Sequence, residues 1–244
     1  MTRVCLGILC VLSTSIMAVP ASAVKLSAFA LDALIADQGD NRGVWPDNGD
    51  TIFVGGAAHL NIPLSQTIFA QLEFSGGEFL DEGTLIEAGT HLFYQTRTGR
   101  TGIFYAHSAF EGFTGDQLAL EWEHYDDQWL TVRGTVGYEF KNLSAEDLRF
   151  GGLLLRLYPT KGKNFMFESG LFHVGETSKA LKITDIDVLG IRMELLLEKL
   201  NLSIFFESYR RNDREFRTLG IRYFLGERKT LIRRHREDGI FNVQ

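Results

Sequence analysis

FRTLGIRYFL, residues 216–225, alternates along its length. Leu219, Ile221, Tyr223 and Leu225 fall on one face; Thr218, Gly220, Arg222 and Phe224 fall on the other. A strand points successive side chains to opposite sides, so this is a ribbon with one apolar face and one mixed face. Working back from it, the same period of two recurs in segments separated by turn residues. They lie at 51–60, 66–76, 84–95, 102–112, 116–125, 129–140, 148–158, 165–175, 186–197 and 200–209. Residues 24–37 are a further candidate, although LSAFALDALIA suits a short helix equally well. That makes about twelve strands in all. Their connections alternate: those at 61–65, 96–101, 126–128, 159–164 and 198–199 are tight, and those at 37–50, 77–83, 176–185 and 210–215 are more polar and mostly longer.

The front of the chain has a different character. Arg3 precedes an apolar run over residues 4–17, and Ala21-Ser22-Ala23 follows as a small-x-small site. This is the form of a secretory signal peptide, removed after residue 23. The apolar run is shorter than the roughly 20 residues a spanning helix needs. Both cysteines, Cys5 and Cys10, lie within it, so the mature chain is expected to have no thiol chemistry and no disulfide. Removing the leader takes away Arg3 and no acid, moving the net charge from -6 to -7. That balance argues against nucleic acid as a partner. A secreted chain without a long apolar helix can still cross a membrane, but only as a closed barrel.

The two faces of the segments differ in kind. The expected outward row runs through Ile52, Val54, Leu72, Phe74, Phe104, Phe110, Leu120, Trp122, Val136, Leu155, Leu171, Ile191 and Leu195. The expected inward row holds Gln71, Glu73, Glu87, His91, His107, Glu121, Glu123, Arg133, Arg156, Glu168, Arg192, Glu194, Glu207 and Arg222, with Phe69, Phe93, Phe205 and Phe224 among them. Charge thus sits in mid-strand on one side only. A charge facing lipid at mid-depth costs roughly 2–4 kcal/mol, so a lipid face excludes it. A soluble sandwich would show the reverse, its apolar rows packed together; the leader, the lack of later cysteines and the aromatics near strand ends favour the membrane.

The last strand also resembles the terminal-strand signal of bacterial outer-membrane β-barrels, with Thr218, Gly220, Tyr223 and Leu225 in its polar, glycine, aromatic and hydrophobic places. Members of that group usually stop there, whereas this chain continues. The resemblance implies an all-β fold: one antiparallel up-and-down transmembrane barrel in the outer membrane of a Gram-negative bacterium. It also implies outer-membrane lipid and the barrel-assembly machinery as partners. The expected divisions are a leader at 1–23, a barrel at 24–226 and a basic tail at 227–244. The tail carries Arg228, Lys229, Arg233, Arg234 and Arg236 without an acid over residues 228–236. It reads either as a solvated end or as a contact for acidic cell-wall polymer, anionic lipid or a periplasmic partner.

Catalytic constellations are weak. Glu121 and Glu123 lie two apart, about 7 Å along one face; they read as a cation site, an acid–base pair or, more simply, ladder charges opposite Arg133, with Arg156 and Arg192 continuing the row. His107, Ser108 and Glu111 resemble the His-Ser-Glu set of outer-membrane lipid A deacylases, but adjacent His and Ser face opposite sides and that family's His-x-Ser-Asn spacing is absent. The six histidines lack metal-ligand spacing. Asp37, Asp40, Asp47 and Asp50 suit ordinary turn chemistry as well as calcium. No catalytic residue, metal or cofactor is expected. The leading expectation is a porin-like channel for small polar solutes, narrow because about twelve strands lie between a filled and an open barrel. Seven inward glutamates against four arginines make it mildly cation-selective. A structural or assembly barrel with a closed lumen is the alternative, and a lipid-modifying enzyme a more distant one.

Overall fold

The computed structural model describes residues 28–38, 51–80, 83–111, 113–126, 129–141, 147–176, 188–211 and 214–237. The leader region and Asp40, Asp47 and Asp50 of the acidic loop lie outside the described residues. Twelve strands follow in order: β1 (Ala28–Gln38), β2 (Thr51–Pro63), β3 (Ile68–Phe79), β4 (Gly83–Gln95), β5 (Gly99–Phe110) and β6 (Phe113–Asp126). Then come β7 (Leu130–Lys141), β8 (Leu148–Leu157), β9 (Phe165–Glu176), β10 (Val188–Leu197), β11 (Leu202–Arg211) and β12 (Arg214–Leu225). A short helix, α1 (Leu231–Glu237), ends the described chain.

Each strand pairs antiparallel with its neighbours in sequence, and β1 closes against β12. The seam is complete from Phe29 opposite Leu225 to Gln38 opposite Phe216. The segment that suited a helix equally well is therefore the first strand. Its small and apolar residues fit both periods; pairing to β2 and β12 decides between them, because closure leaves no strand edge unsatisfied in lipid. The connections after β2, β4, β6, β8 and β10 lie at one end of the barrel, where the chain also enters β1 and leaves β12; at the other end those after β3, β5 and β11, expected to be mostly longer, are only two or three residues.

The outer surface is apolar. Ile86, Leu120, Val136, Leu171, Leu189 and Leu219 are each at least 48% exposed. Tyr94, Tyr105, Trp122, Trp129, Tyr138 and Tyr223 are exposed with them, amphipathic rings of the type that suit a membrane interface. In water such a surface would be an aggregation hazard; around a barrel it is a lipid-facing band.

One strand departs from the expected facing. Phe104 is 1% exposed and points inward, stacked on His91 at 4.4 Å. Phe110 also turns inward, edge-on to Phe79. His107 faces outward, with its side chain 49% exposed and Nδ1 2.9 Å from Asp116 Oδ1. The expected row had these three reversed. Over its middle the inner face of β5 is Gly102, Phe104, Ala106 and Ser108, without a charge, and His91 of β4 reaches across it to Glu121 of β6. Small and flat side chains leave room for that crossing. Arg100, which shares its parity with Phe104 and is buried, is the cue that assigns the strand correctly.

Candidate functional site: a charged belt and a plugged lumen

The lumen is built from alternate residues of the strands. Glu73, Glu121, Glu123, Arg133, Arg156, Glu168, Arg192, Glu194, Glu207 and Arg222 are all buried. Glu87 is half-buried nearer the loop end. The structure adds Asp32 and Arg100 to the predicted residues, both buried and inward. Asp32 sits on the strand whose period was ambiguous, so no face could be assigned to it beforehand.

These side chains form a belt around the interior. Arg222 of β12 donates two hydrogen bonds across the seam to Asp32, at 2.6 and 2.5 Å. His59 lies between carboxylates, with Nε2 3.3 Å from Asp32 and Nδ1 3.2 Å from Glu73. Gln71 donates to Glu73. His91 lies 3.5 Å from Glu73 and 2.7 Å from Glu121, which accepts from Arg133 at 3.0 Å. Arg100 pairs with Glu123 at 3.0 Å, and Arg156 lies 3.9 Å from Glu123 and 2.6 Å from Glu168. Arg192 pairs with Glu207 at 2.5 Å and Glu194 at 3.1 Å, and Arg222 lies 4.0 Å from Glu194. Arg192 and Arg222 also lie over the Phe205 ring, at 4.8 and 5.6 Å. Buried charges are costly unless paired and hydrogen-bonded, and this belt pairs them in series.

Below the belt, at the end where the chain enters β1 and leaves β12, α1 enters the lumen. Gly226, with φ of 103°, turns the chain back after β12, a conformation that L side chains rarely adopt. Leu231 and Ile232 then pack with Ala30, Tyr158, Met166, Leu196 and Phe224. The Arg234 guanidinium lies 4.1 Å from the Phe224 ring centroid and donates to Asn201 Oδ1 at 2.5 Å. His235 Nδ1 is 2.9 Å from the Tyr158 hydroxyl, and its Nε2 is 3.3 Å from Glu194. Arg236 donates to Thr131 at 3.1 Å and lies over the Tyr125 ring at 4.8 Å. Of the basic tail residues, Arg228 and Arg233 stay exposed. The inward insertion of α1 was not expected. The available signal is the apolar pair Leu231-Ile232 followed by Arg234-His235, which share one side of a helix at spacings of three and four.

At the opposite end the barrel opens into a cavity of about 330 Å³. Asp32, His59 and Glu73 line it, with Glu87 beside them and Phe53, Phe79, Tyr209 and Phe216 around it. Phe53 and Phe79 meet at 4.7 Å, and Tyr209 stacks on Phe216 at 4.6 Å.

The terminal-strand residues divide between the two faces. Thr218 is buried and inward, while Tyr223 and Leu225 are exposed to the lipid side. At Gly220 a Cβ would run into the Phe205 ring, so glycine there lets an aromatic lie flat on the inner wall. His107 and Ser108 face opposite sides of β5, and the Ser108 hydroxyl donates to Gly115 O at 3.4 Å; they do not form a nucleophile–base pair.

No family model and no curated protein matches the sequence. Solved structures do match. A KdgM porin in complex with disordered oligogalacturonate aligns at a TM-score of 0.57 and 11% identity, over 80% of this chain and 98% of that one. A NanC porin aligns at 0.56 and 8%, over 79% and 98%. An outer membrane channel from Pseudomonas putida F1 aligns at 0.51 and 10%, over 84% and 99%. The chain thus has the closed antiparallel barrel fold of these bacterial outer-membrane porins and channels.

Proposed function

We propose that the protein resides in the outer membrane of a Gram-negative bacterium and is a porin-like channel for small polar solutes, narrow and mildly cation-selective. The observation that carries this reading is the one-sided distribution of charge. A polar belt crosses the interior of a barrel whose exterior is apolar. A wide vestibule on one side of that belt gives solute a point of entry, and likeness to porins supports the same class. The KdgM structure holds an acidic saccharide; here the buried wall carries more carboxylates than arginines, which favours cations instead.

The alternative, a structural barrel with a closed lumen, is favoured by one observation: the belt side chains and α1 both occupy the interior, where Arg222, Glu194, Leu231 and Arg234 are at most 1% exposed. Its mark would be lost envelope integrity on deletion with unchanged solute permeability. The exposed Arg228 and Arg233 would serve contact with acidic cell-wall polymer or a periplasmic partner in either case. The deciding experiment is a bilayer recording on refolded protein in a salt gradient, beside fractionation of cells and heat-modifiable gel migration. Small cation-preferring currents are expected from a protein found with the outer membrane. Recovery as a soluble periplasmic protein would overturn the location, and silence under all conditions the channel.

A further inference from the structure

We infer that the end of the barrel where β1 begins and β12 ends is a receptor site for a basic helical peptide, and that α1 is its resident ligand. Only the electrical consequence rests on the channel reading; the docking stands on the geometry. A helix of seven residues does not persist alone in water, so the wall must hold it. The Leu231 amide donates to Lys163 O at 3.0 Å. At the other end, the last carbonyls of a helix have no partner within it. Here Arg236 O accepts from Gln95 Nε2 at 3.0 Å and Glu237 O from Asn61 Nδ2 at 3.5 Å. Both helix ends are thus received by groups from turns and strands distant in sequence.

Between the ends, recognition is chemical as well as geometric. Leu231 is 0% exposed, His235 bridges Tyr158 and Glu194, and two guanidiniums lie on aromatic rings. Cation–π contacts of this kind gain strength when desolvated. The barrel closes at β1–β12 without any residue of α1. The site therefore recognises an apolar pair followed by Arg-His-Arg in helical form, and the same segment should bind when supplied in trans.

The test uses a chain ending after Glu227, checked for folding by heat-modifiable migration, and a fluorescent synthetic peptide of residues 227–244. Saturable binding to the shortened barrel is expected, with affinity at least ~10-fold weaker for a peptide carrying Arg234→Glu and Arg236→Glu, a difference of about 1.4 kcal/mol. The full chain should bind neither, because its site is filled. Equal binding of both peptides, or equal binding by both chains, would overturn the inference. A second measurement covers failure of the shortened chain to fold. Beyond Cys10 the sequence has no cysteine, so Leu231→Cys and Arg233→Cys in the full chain can be compared for thiol labelling. Labelling of Leu231→Cys at least ~10-fold slower supports docking, since a protection factor of ten corresponds to about 1.4 kcal/mol; equal rates sink it. Peptide binding without any change in current would sustain the receptor site and remove the channel reading.

Discussion

Arg222 and Asp32 show how much rests on single side chains. They meet across the seam that joins the first and last strands, with side chains 1% and 2% exposed. Removing one partner of a buried pair strands the other charge and costs about 3–5 kcal/mol. Arg222→Met should therefore lower the unfolding midpoint markedly in urea and on heated gels. Adding Asp32→Asn should recover part of the loss, because the stranded charge disappears. Arg217→Ala breaks an exposed pair with Glu215, 57% and 47% exposed, and should leave the unfolding midpoint nearly unchanged, because solvent screens such a pair. Equal effects of Arg222→Met and Arg217→Ala would mean that the seam pair is solvated. Arg222 was readable from its place in an alternating strand. Asp32 was not: Ala and Leu around it satisfy a helix and a strand alike, and its face exists only once β1 has two partners.

At the scale of an element, β5 marks where alternation misleads. Most strands declare their inner face with a charge, as β6 does with Glu121 and Glu123 and β10 with Arg192 and Glu194. The middle of β5 offers only His107, and that residue faces outward beside Asp116. Ile103, opposite Leu120, is the true lipid-side residue and is 49% exposed. Ile103→Arg should reduce folding into lipid vesicles by an amount equivalent to roughly 2–4 kcal/mol, while Ser108→Arg, entering the lumen, should fold nearly as wild type. Comparable folding of both variants would show that the facing of β5 is inverted. The tail illegibility has another cause. A run of arginines reads as solvated when little local buries it; Tyr158, Met166 and Glu194, which help receive α1, lie far earlier in the sequence.

For the whole molecule, the balance of charge links the helix to selectivity. Among the described residues, the strands bury seven carboxylates, namely Asp32, Glu73, Glu121, Glu123, Glu168, Glu194 and Glu207, against five arginines, Arg100, Arg133, Arg156, Arg192 and Arg222. The wall alone therefore holds a surplus of two negative charges before any histidine is protonated. Arg234 and Arg236 of α1 reduce that surplus. The barrel lacking α1 should then prefer cations more strongly than the full chain, seen as a larger reversal potential in a salt gradient. At 1 M salt the difference should shrink, because the Debye length falls to about 3 Å. Glu121→Gln with Glu123→Gln in the shortened barrel should weaken or invert the preference, and Arg133→Ala should sharpen it by freeing Glu121 from its 3.0 Å partner. A helix-free barrel that conducts but prefers anions would show that Arg192 and Arg222, rather than the carboxylates they hold, set the field along the path.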